Sequence, residues 1–204
     1  MHCLIVLLFK IHKFTPTCYA IPTAEGAIKI AIEETDITLH GNNMLVIGYG
    51  RIGTVLSAML RGMGAVVTMV VNSGRAAALA KSCGHKVARH EDIDMQLKEA
   101  DVIFNTVPKV LLDKRNMKHI RKSTLIIDLA SPPYGVDVND ARDFGLKVLF
   151  TTSLPGKIAP VTTATYILDT INHIITETEG VLHTADTAAT DDKNTSKIEG
   201  GPTS

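Results

Sequence analysis

The sequence lacks tryptophan, has few aromatic residues and carries no excess of either charge. Its 204 residues include 21 Lys and Arg against 21 Asp and Glu, and aromatic residues make up 4%. A chain without a basic excess is not suited to general binding of nucleic acid or membrane surfaces. Cysteine is scarce as well, because Cys3, Cys18 and Cys83 are too scattered to form a CxxC pair or a metal-ligand cluster. We therefore expect free thiols in a reducing cytoplasm, and no metal site.

Long hydrophobic runs are also missing. The apolar run Cys3–Phe9 is far shorter than the roughly 20 residues that span a bilayer. Lys10 and Lys13 follow it instead of preceding it, which argues against a signal peptide. We expect an atypical N-terminal segment over residues 1–20 and a disordered tail over residues 179–204, which has almost no large apolar residues. The apolar content of 45% excludes a mainly disordered chain.

Between these ends, short apolar runs alternate with amphipathic segments. The apolar runs predict six strands, at Met44–Gly48, Ala65–Val71, Lys86–Ala88, Val102–Val107, Thr124–Leu129 and Lys147–Thr151. Helices are predicted at Thr23–Leu39, Ile52–Met63, Ser73–Cys83, Glu91–Ala100, Leu111–Ile120, Val138–Phe144 and Val161–Thr176, with a stiff loop over Ser153–Pro160. This alternation predicts an α/β fold, a doubly wound parallel sheet of Rossmann-like topology with helices on both faces. Residues 41–178 would form this domain, preceded by a linking helix over residues 21–40.

A glycine-rich turn follows the first predicted strand. Residues Gly48–Gly53 have the pattern GxGxxG, between a strand and a helix. In that context the pattern predicts dinucleotide binding. Gly48 allows the tight turn, Gly50 lets a pyrophosphate approach the backbone, and Gly53 lets helix and strand pack closely. The helix N-terminus offers free N–H groups to the phosphates.

The end of the second strand bears on which dinucleotide binds. An NAD site usually has an Asp or Glu there for the ribose 2′-hydroxyl, whereas this chain has no acidic residue between Asp36 and Glu91. Asn72, Ser73 and Arg75 occupy the position and are able to bind a 2′-phosphate. The sequence thus favours NADP over NAD, although Arg75 could also be an ordinary solvated helix residue.

Later strand ends supply further candidates, because ligands of open α/β sheets lie at the carboxyl ends of the strands. Asp128 is acidic in an apolar strand, so it is either a structural carboxylate or a direct contact of cofactor or substrate. Lys157 could bind a carboxylate of the substrate or the cofactor phosphates, or it could be a surface lysine. No residue is an evident general acid or base. The residues expected to bind the cofactor are Gly48, Tyr49, Gly50, Arg51, Ile52, Gly53, Asn72, Ser73, Arg75, Asn105, Thr106, Val107, Pro108, Asp128, Ala130 and Ser131.

Five stretches in this order resemble the A subunits of dipicolinate synthase from endospore-forming bacteria. They read IPTAEGA from Ile21, VIGYGRIG from Val46, DVIFNTVP from Asp101, IIDLAS from Ile126 and LPGKIAP from Leu154. The glycine motif is common to many families, whereas the other stretches are much more specific. The resemblance extends from about Ile21 to Ile175.

The resemblance implies an NADP-dependent oxidation during sporulation. The substrate would be dihydrodipicolinate or its hydrated tetrahydro precursor, and the product would be dipicolinate, a dicarboxylate. The resemblance also implies a flavoprotein-like B subunit as partner and a location in the cytoplasm of the mother cell. A dicarboxylate substrate gives Lys157 its candidate role.

The resemblance has one departure. Proteins of that family carry a substantial N-terminal domain before the IPTAEGA stretch, whereas here about twenty residues precede it. We expect the chain to correspond to the dinucleotide-binding half, with catalysis by this chain alone uncertain and an exposed apolar helix face that would favour a homo-oligomer.

Two alternatives stay open. The chain could be the NAD(P)-binding domain of another two-domain dehydrogenase, of the 2-hydroxyacid, shikimate or methylene-tetrahydrofolate type. It could also be a non-catalytic nucleotide-binding partner subunit. Against the 2-hydroxyacid type, no His lies between Ile120 and Asn172 to form a catalytic His–Glu pair.

Overall fold

The computed structural model describes residues 19–151 and 153–176. They fall into two units, one from Pro16 to Thr163 and a second that includes the chain from Ala164 onward. The first unit contains a six-stranded sheet in which every strand pair is parallel. The predicted doubly wound α/β fold is therefore confirmed.

The elements alternate as the sequence predicts. The strands are β1 Asn43–Ile47, β2 Val66–Val71, β3 Lys86–Arg89, β4 Val102–Asn105, β5 Leu125–Asp128 and β6 Lys147–Phe150. The helices are α1 Ala20–Glu33, α2 Arg51–Gly62, α3 Gly74–Ser82, α4 Ile93–Glu99, α5 Lys114–Met117, α6 Val138–Asp143, α7 Leu154–Ile158 and α8 over residues 160–176. A 3₁₀ turn, His90–Asp92, precedes α4.

The strand order is β3-β2-β1-β4-β5-β6. Successive strands are therefore added on one side of β1 up to β3 and on its other side from β4 onward, although all strands remain parallel. In such sheets a crevice opens outside the carboxyl ends of the strands at the reversal point. The register places Ile47 beside Asn105, and Asn105 beside Asp128. The glycine-rich turn after β1 and the polar ends of β4 and β5 are thus neighbours on one edge of the sheet.

Each face of the sheet has its own apolar core, because successive strand residues point to opposite sides. On one face Val46 and Phe104 are buried with the apolar side of α1 and α2. On the other face Leu45 and Ile103 are buried with residues of α4 and of the segments after β4 and β5. All four strand residues are at most 1% exposed. The central strands therefore read as continuous apolar runs, as parallel strands covered on both faces do.

Three predicted elements differ from the structure. The first predicted helix begins at Ala20 and ends at Glu33, not Leu39, because the stretch beyond contains residues that favour turns and caps. Its end is marked by the Thr35 hydroxyl, which donates to the carbonyl of Ala31 at 2.6 Å. The apolar side of this helix is mostly buried, with Ile21 and Ile32 exposed.

The predicted helix Leu111–Ile120 shrinks to α5. Asp113 begins it with a capping box. The preceding Leu111 and Leu112 instead donate their N–H groups to the carbonyl of Gly135, a contact distant in sequence. The predicted loop Ser153–Pro160 contains the short helix α7, which accommodates Pro155 in its first turn, where no N–H is needed.

Two predictions from the sequence concern residues that the structure does not describe. The N-terminal run Cys3–Phe9 and residues 179–204, for which a disordered tail is predicted, lie outside the described residues. Among the residues that are described, no helix is long and apolar enough to cross a membrane.

Candidate functional site: a dinucleotide crevice

Two glycines of the glycine-rich turn, Gly48 and Gly53, have the geometry predicted for them. Gly48 has φ +98°, and a Cβ there would lie 2.5 Å from Thr106 Oγ1. A Cβ on Gly53 would overlap the carbonyl oxygen of Gly48. Only glycine fits these two positions, the first for its conformation and the second for the close approach of helix and turn.

Gly50 differs from Gly48 and Gly53, because neither its conformation nor its surroundings require glycine. Its φ of −88° suits any residue, and a Cβ there would meet no atom of the described chain within 4 Å. Gly50 is the N-cap of α2 and offers no side chain to the first N–H groups of that helix. The fold itself therefore has no need of glycine here. The open space and the uncapped N–H groups fit a pyrophosphate resting on the turn.

A crevice of about 200 Å³ lies beside this turn. Its wall is mostly apolar, with a few polar side chains. The lining residues are Ile47, Gly48, Tyr49, Val70, Val71, Asn72, Ser73, Ala76, His90, Val107 and Leu111. An apolar slot with few polar groups is the usual form of a cofactor site.

The end of β2 provides polar groups without negative charge. Asn72, Ser73 and Arg75 are all exposed. The Ser73 hydroxyl accepts from the Ala76 N–H at 3.1 Å and so caps α3, while its own hydrogen remains available for a ligand. Arg75 is at the second position of α3 and does not line the crevice in the described structure.

The ends of β4 and β5 are joined by a buried polar pair. Asn105 and Asp128 are both 0% exposed. One Asp128 oxygen accepts from Asn105 Nδ2 at 2.8 Å and from the Ala130 N–H at 3.0 Å, and the other accepts from the Gly135 N–H at 2.8 Å. The carboxylate thus holds together the loops that follow the two strands. Of the two readings of Asp128, the geometry favours the structural one, and direct contact with a ligand stays a prediction.

Thr106 ties the β4 loop to the glycine-rich turn. Its backbone N–H and its hydroxyl both donate to the carbonyl of Ile47, at 3.0 and 2.9 Å. Asn105 also bonds the backbone of Val107 in both directions. These bonds place Val107 on the wall of the crevice. The side chains of Asn105 and Thr106 are therefore occupied inside the protein.

Behind the turn lies a small cluster of titratable side chains. The ring of Tyr49 meets that of His85 edge-on, with centroids 6.3 Å apart. Burial, aided by a hydrogen bond with the Cys83 thiol, raises the pKa of Tyr49 to about 12. Burial, then the positive charge of Arg61, lowers the pKa of His85 below its ordinary value. The phenol of Tyr49 thus stays neutral at physiological pH, and its contact with a dinucleotide stays a prediction.

Most of the remaining predicted residues lie in the segments that follow the strands. Arg51 is exposed at the first position of α2, and Ser131 and Pro108 are exposed in the loops after β5 and β4. Lys157 is exposed on α7, and it does not line the crevice in the part of the chain that is described. His90 and Leu111, which line the crevice, and Gly135, which bonds Asp128, are not among the residues predicted from the sequence. No local signal marks Leu111 or Gly135, whereas His90 follows a strand end directly and could have been noticed there.

This fold and crevice define the class of protein: a domain that binds a nicotinamide dinucleotide, as oxidoreductases of the dehydrogenase type do. Comparison with known proteins identifies the family. A model of the shikimate / quinate 5-dehydrogenase family matches residues 29–146, and the chain belongs to that family.

Relatives confirm the resemblance noted from the sequence. The A subunit of dipicolinate synthase from Bacillus subtilis is 32% identical over 158 residues, which cover 78% of this chain and 53% of the relative. The crystal structure of the same subunit from Bacillus halodurans matches with a TM-score of 0.77 at 32% identity, over 78% of this chain and 55% of that one. The crystal structure of the B. subtilis protein matches with a TM-score of 0.80 at 30% identity, over 82% and 56%. This chain spans about half the length of the relatives that it matches.

Proposed function

We propose that this chain is the NADP-binding part of a dipicolinate synthase, in the position of its A subunit. It would take part in oxidising dihydrodipicolinate, or its hydrated tetrahydro precursor, to dipicolinate in the mother-cell cytoplasm of a sporulating bacterium. The observation that carries the proposal is the glycine-rich turn, with its open space at Gly50, in a chain similar to that subunit. A B subunit would be its partner, and a homo-oligomer is compatible with the exposed Ile21 and Ile32.

The chain's own residues would bind and orient the cofactor. The uncapped N–H groups at the start of α2 would hold the pyrophosphate. Asn72, Ser73 and Arg75 would hold the 2′-phosphate, since no carboxylate stands there to repel it. The bound nicotinamide would supply the hydride acceptor. Asp128 and Asn105 would act as positioning residues, because their hydrogen bonds hold together the loops that follow β4 and β5.

We also propose the class of substrate, a dicarboxylate. Lys157 is the one charged residue of the segment Ser153–Pro160 and would meet a carboxylate of the substrate. A second candidate substrate class is suggested by the family match, because the same architecture serves the shikimate / quinate 5-dehydrogenases. A third reading, a nucleotide-binding protein without catalysis, would bind the cofactor and turn over neither substrate.

The first experiment is a calorimetric titration of the full chain with NADP and with NAD. Charge-assisted bonds contribute about 1.5–3 kcal/mol each, so a 2′-phosphate contact to Arg75 predicts a preference of about 10- to 100-fold for NADP. Gly50→Ala should abolish binding and leave the melting temperature unchanged, because the added methyl group enters the space for the pyrophosphate. Gly62→Ala is the matched control, since a Cβ there also meets no atom of the described chain.

The outcomes separate the readings. If Gly50→Ala binds NADP like the unmodified chain, the turn is not the binding site. If binding is confirmed, turnover of freshly prepared dihydrodipicolinate, with and without the B subunit, is compared with turnover of shikimate and quinate. Activity on dihydrodipicolinate alone supports the proposed substrate, activity on shikimate or quinate supports the second class, and no turnover in any combination supports the non-catalytic reading.

A further inference from the structure

The imidazole of His90 has an unusual position in the crevice. His90 begins the 3₁₀ turn directly after β3 and lines the crevice next to the end of β2. Its Nε2 is buried and has no hydrogen-bond partner among the described residues. A buried nitrogen without a partner costs about 1–3 kcal/mol of stability. Such a group in a ligand crevice calls for a partner that arrives with the ligand.

The surroundings of His90 indicate which part of the ligand that partner is. A dinucleotide in this crevice would place its pyrophosphate at the glycine-rich turn and its adenosine ribose beside Asn72 and Ser73 at the end of β2. β3 is the next strand outward, because Val71 pairs with Arg89, the residue before His90. The group that reaches His90 from the ribose is therefore the base.

The walls of the crevice suit a flat base. Val107 and Leu111 come from the loop after β4, and Ala76 comes from α3. These side chains offer apolar contact to the faces of a ring and no hydrogen bond to its edge. Among the residues that line the crevice, His90 has a buried side-chain nitrogen without a partner in the described structure.

We propose that His90 reads the base of the bound dinucleotide, by a hydrogen bond between its Nε2 and the N1/N6 edge of adenine. This inference rests on the proposed function, since it requires a dinucleotide in the crevice. Adenine presents both a donor, the exocyclic amino group, and an acceptor, the ring N1. Either neutral tautomer of the imidazole can therefore form the bond.

The test uses NADP and its 1,N⁶-etheno analogue, in which an added ring closes the N1/N6 edge. Their dissociation constants are measured for the full chain, His90→Ala, His90→Gln and the control His119→Ala, a residue that pairs with Asp94 and does not line the crevice. One hydrogen bond of about 1 kcal/mol or more predicts that the unmodified chain prefers NADP by at least about 5-fold. In His90→Ala the preference should fall to less than about 2-fold, because NADP binding weakens by about 5- to 10-fold. His90→Gln should retain part of the preference, and His119→Ala should retain all of it.

Two results of the comparison between NADP and its etheno analogue would overturn the inference. One is a preference for NADP that is the same in His90→Ala and in the unmodified chain, and the other is an unmodified chain that binds both dinucleotides equally. If the unmodified chain binds neither NADP nor NAD, the proposed function fails first and the inference with it. A further readout does not depend on the variants: the ¹⁵N shift of His90 Nε2 should move on addition of NADP and stay in place on addition of nicotinamide mononucleotide, which has no adenine. If the ¹⁵N shift of His90 Nε2 does not change on addition of NADP, the inference is contradicted even if the variants fail to fold.

Discussion

Asp128→Asn tests whether the buried carboxylate holds the crevice together. Asp128 is 0% exposed and accepts three hydrogen bonds, from Asn105, Ala130 and Gly135. An asparagine has one acceptor oxygen, which can keep the two bonds to Asn105 and Ala130. Its amide group would then face the N–H of Gly135, so that two donors meet with no acceptor between them.

The expected cost follows from those donors. A buried donor left without a partner costs about 1–3 kcal/mol, and the two surviving bonds weaken because the charge is gone. The neutral amide is cheaper to bury than a charge, which offsets part of this loss. We expect a net loss of about 2–4 kcal/mol in the free energy of unfolding, a large share of the roughly 5–15 kcal/mol typical of a domain.

The assay is urea unfolding with a matched control. With a slope of about 2 kcal/mol per molar urea, the midpoint of Asp128→Asn should fall by about 1–2 M. Asp137→Asn makes the same chemical change at the N-cap of α6, where the side chain accepts from the N–H groups of Asn139 and Asp140. Asparagine caps helices as well as aspartate does, so this midpoint should change by less than about 0.3 M. Equal midpoints for the two variants would refute the reasoning.

Three further predictions use the same structure. Gly135→Ala should unfold the chain or lower its melting temperature sharply, because the new Cβ would overlap the Asn105 amide. A normal circular dichroism melt would contradict this, with Gly62→Ala as the control, since a Cβ there meets no atom of the described chain. Arg75→Ala should weaken NADP binding by about 10- to 100-fold and leave NAD binding unchanged, and a calorimetric loss shared equally by both would contradict a 2′-phosphate contact. The lowered pKa of His85 means that the unfolded chain binds more protons than the folded chain just below the ordinary value of 6.5, so stability should fall as the pH drops through that range. In His85→Phe the urea midpoint should depend less on pH between about 5.5 and 7.5, and an unchanged slope would contradict the assignment.

The sequence predicted most of the fold for identifiable reasons. All six strands were found because parallel strands buried on both faces form continuous apolar runs between turn residues. The ends of α2 and α3 were found because glycines and Ser73 mark them. The length of the helix Leu111–Ile120 was overestimated because helical spacing is a local signal. The N–H groups of Leu111 and Leu112 instead donate to a carbonyl more than twenty residues away.

The candidate site, like the fold, has features that the local sequence predicts and features that it leaves open. The roles predicted for Gly48 and Gly53 depend on backbone conformation and close packing within one turn, which the local pattern encodes, and the structure shows both constraints. For Asp128 the sequence left two readings open, because a buried acid needs a partner but its neighbours in the chain do not say which. The fold places Asn105 and Gly135 around it, which favours the structural reading.

The sequence by itself determined the class of fold, the position of the glycine-rich turn and the absence of acidic residues after β2. These features depend on residue type and on spacing within a single strand–turn–helix unit. Only the tertiary structure decided that His90 and Leu111 share a crevice with Gly48, since they come from separate strand ends. Parallel strands bring their carboxyl ends to one edge whatever their separation in the chain, so the contacts across that edge exist only once the sheet has formed.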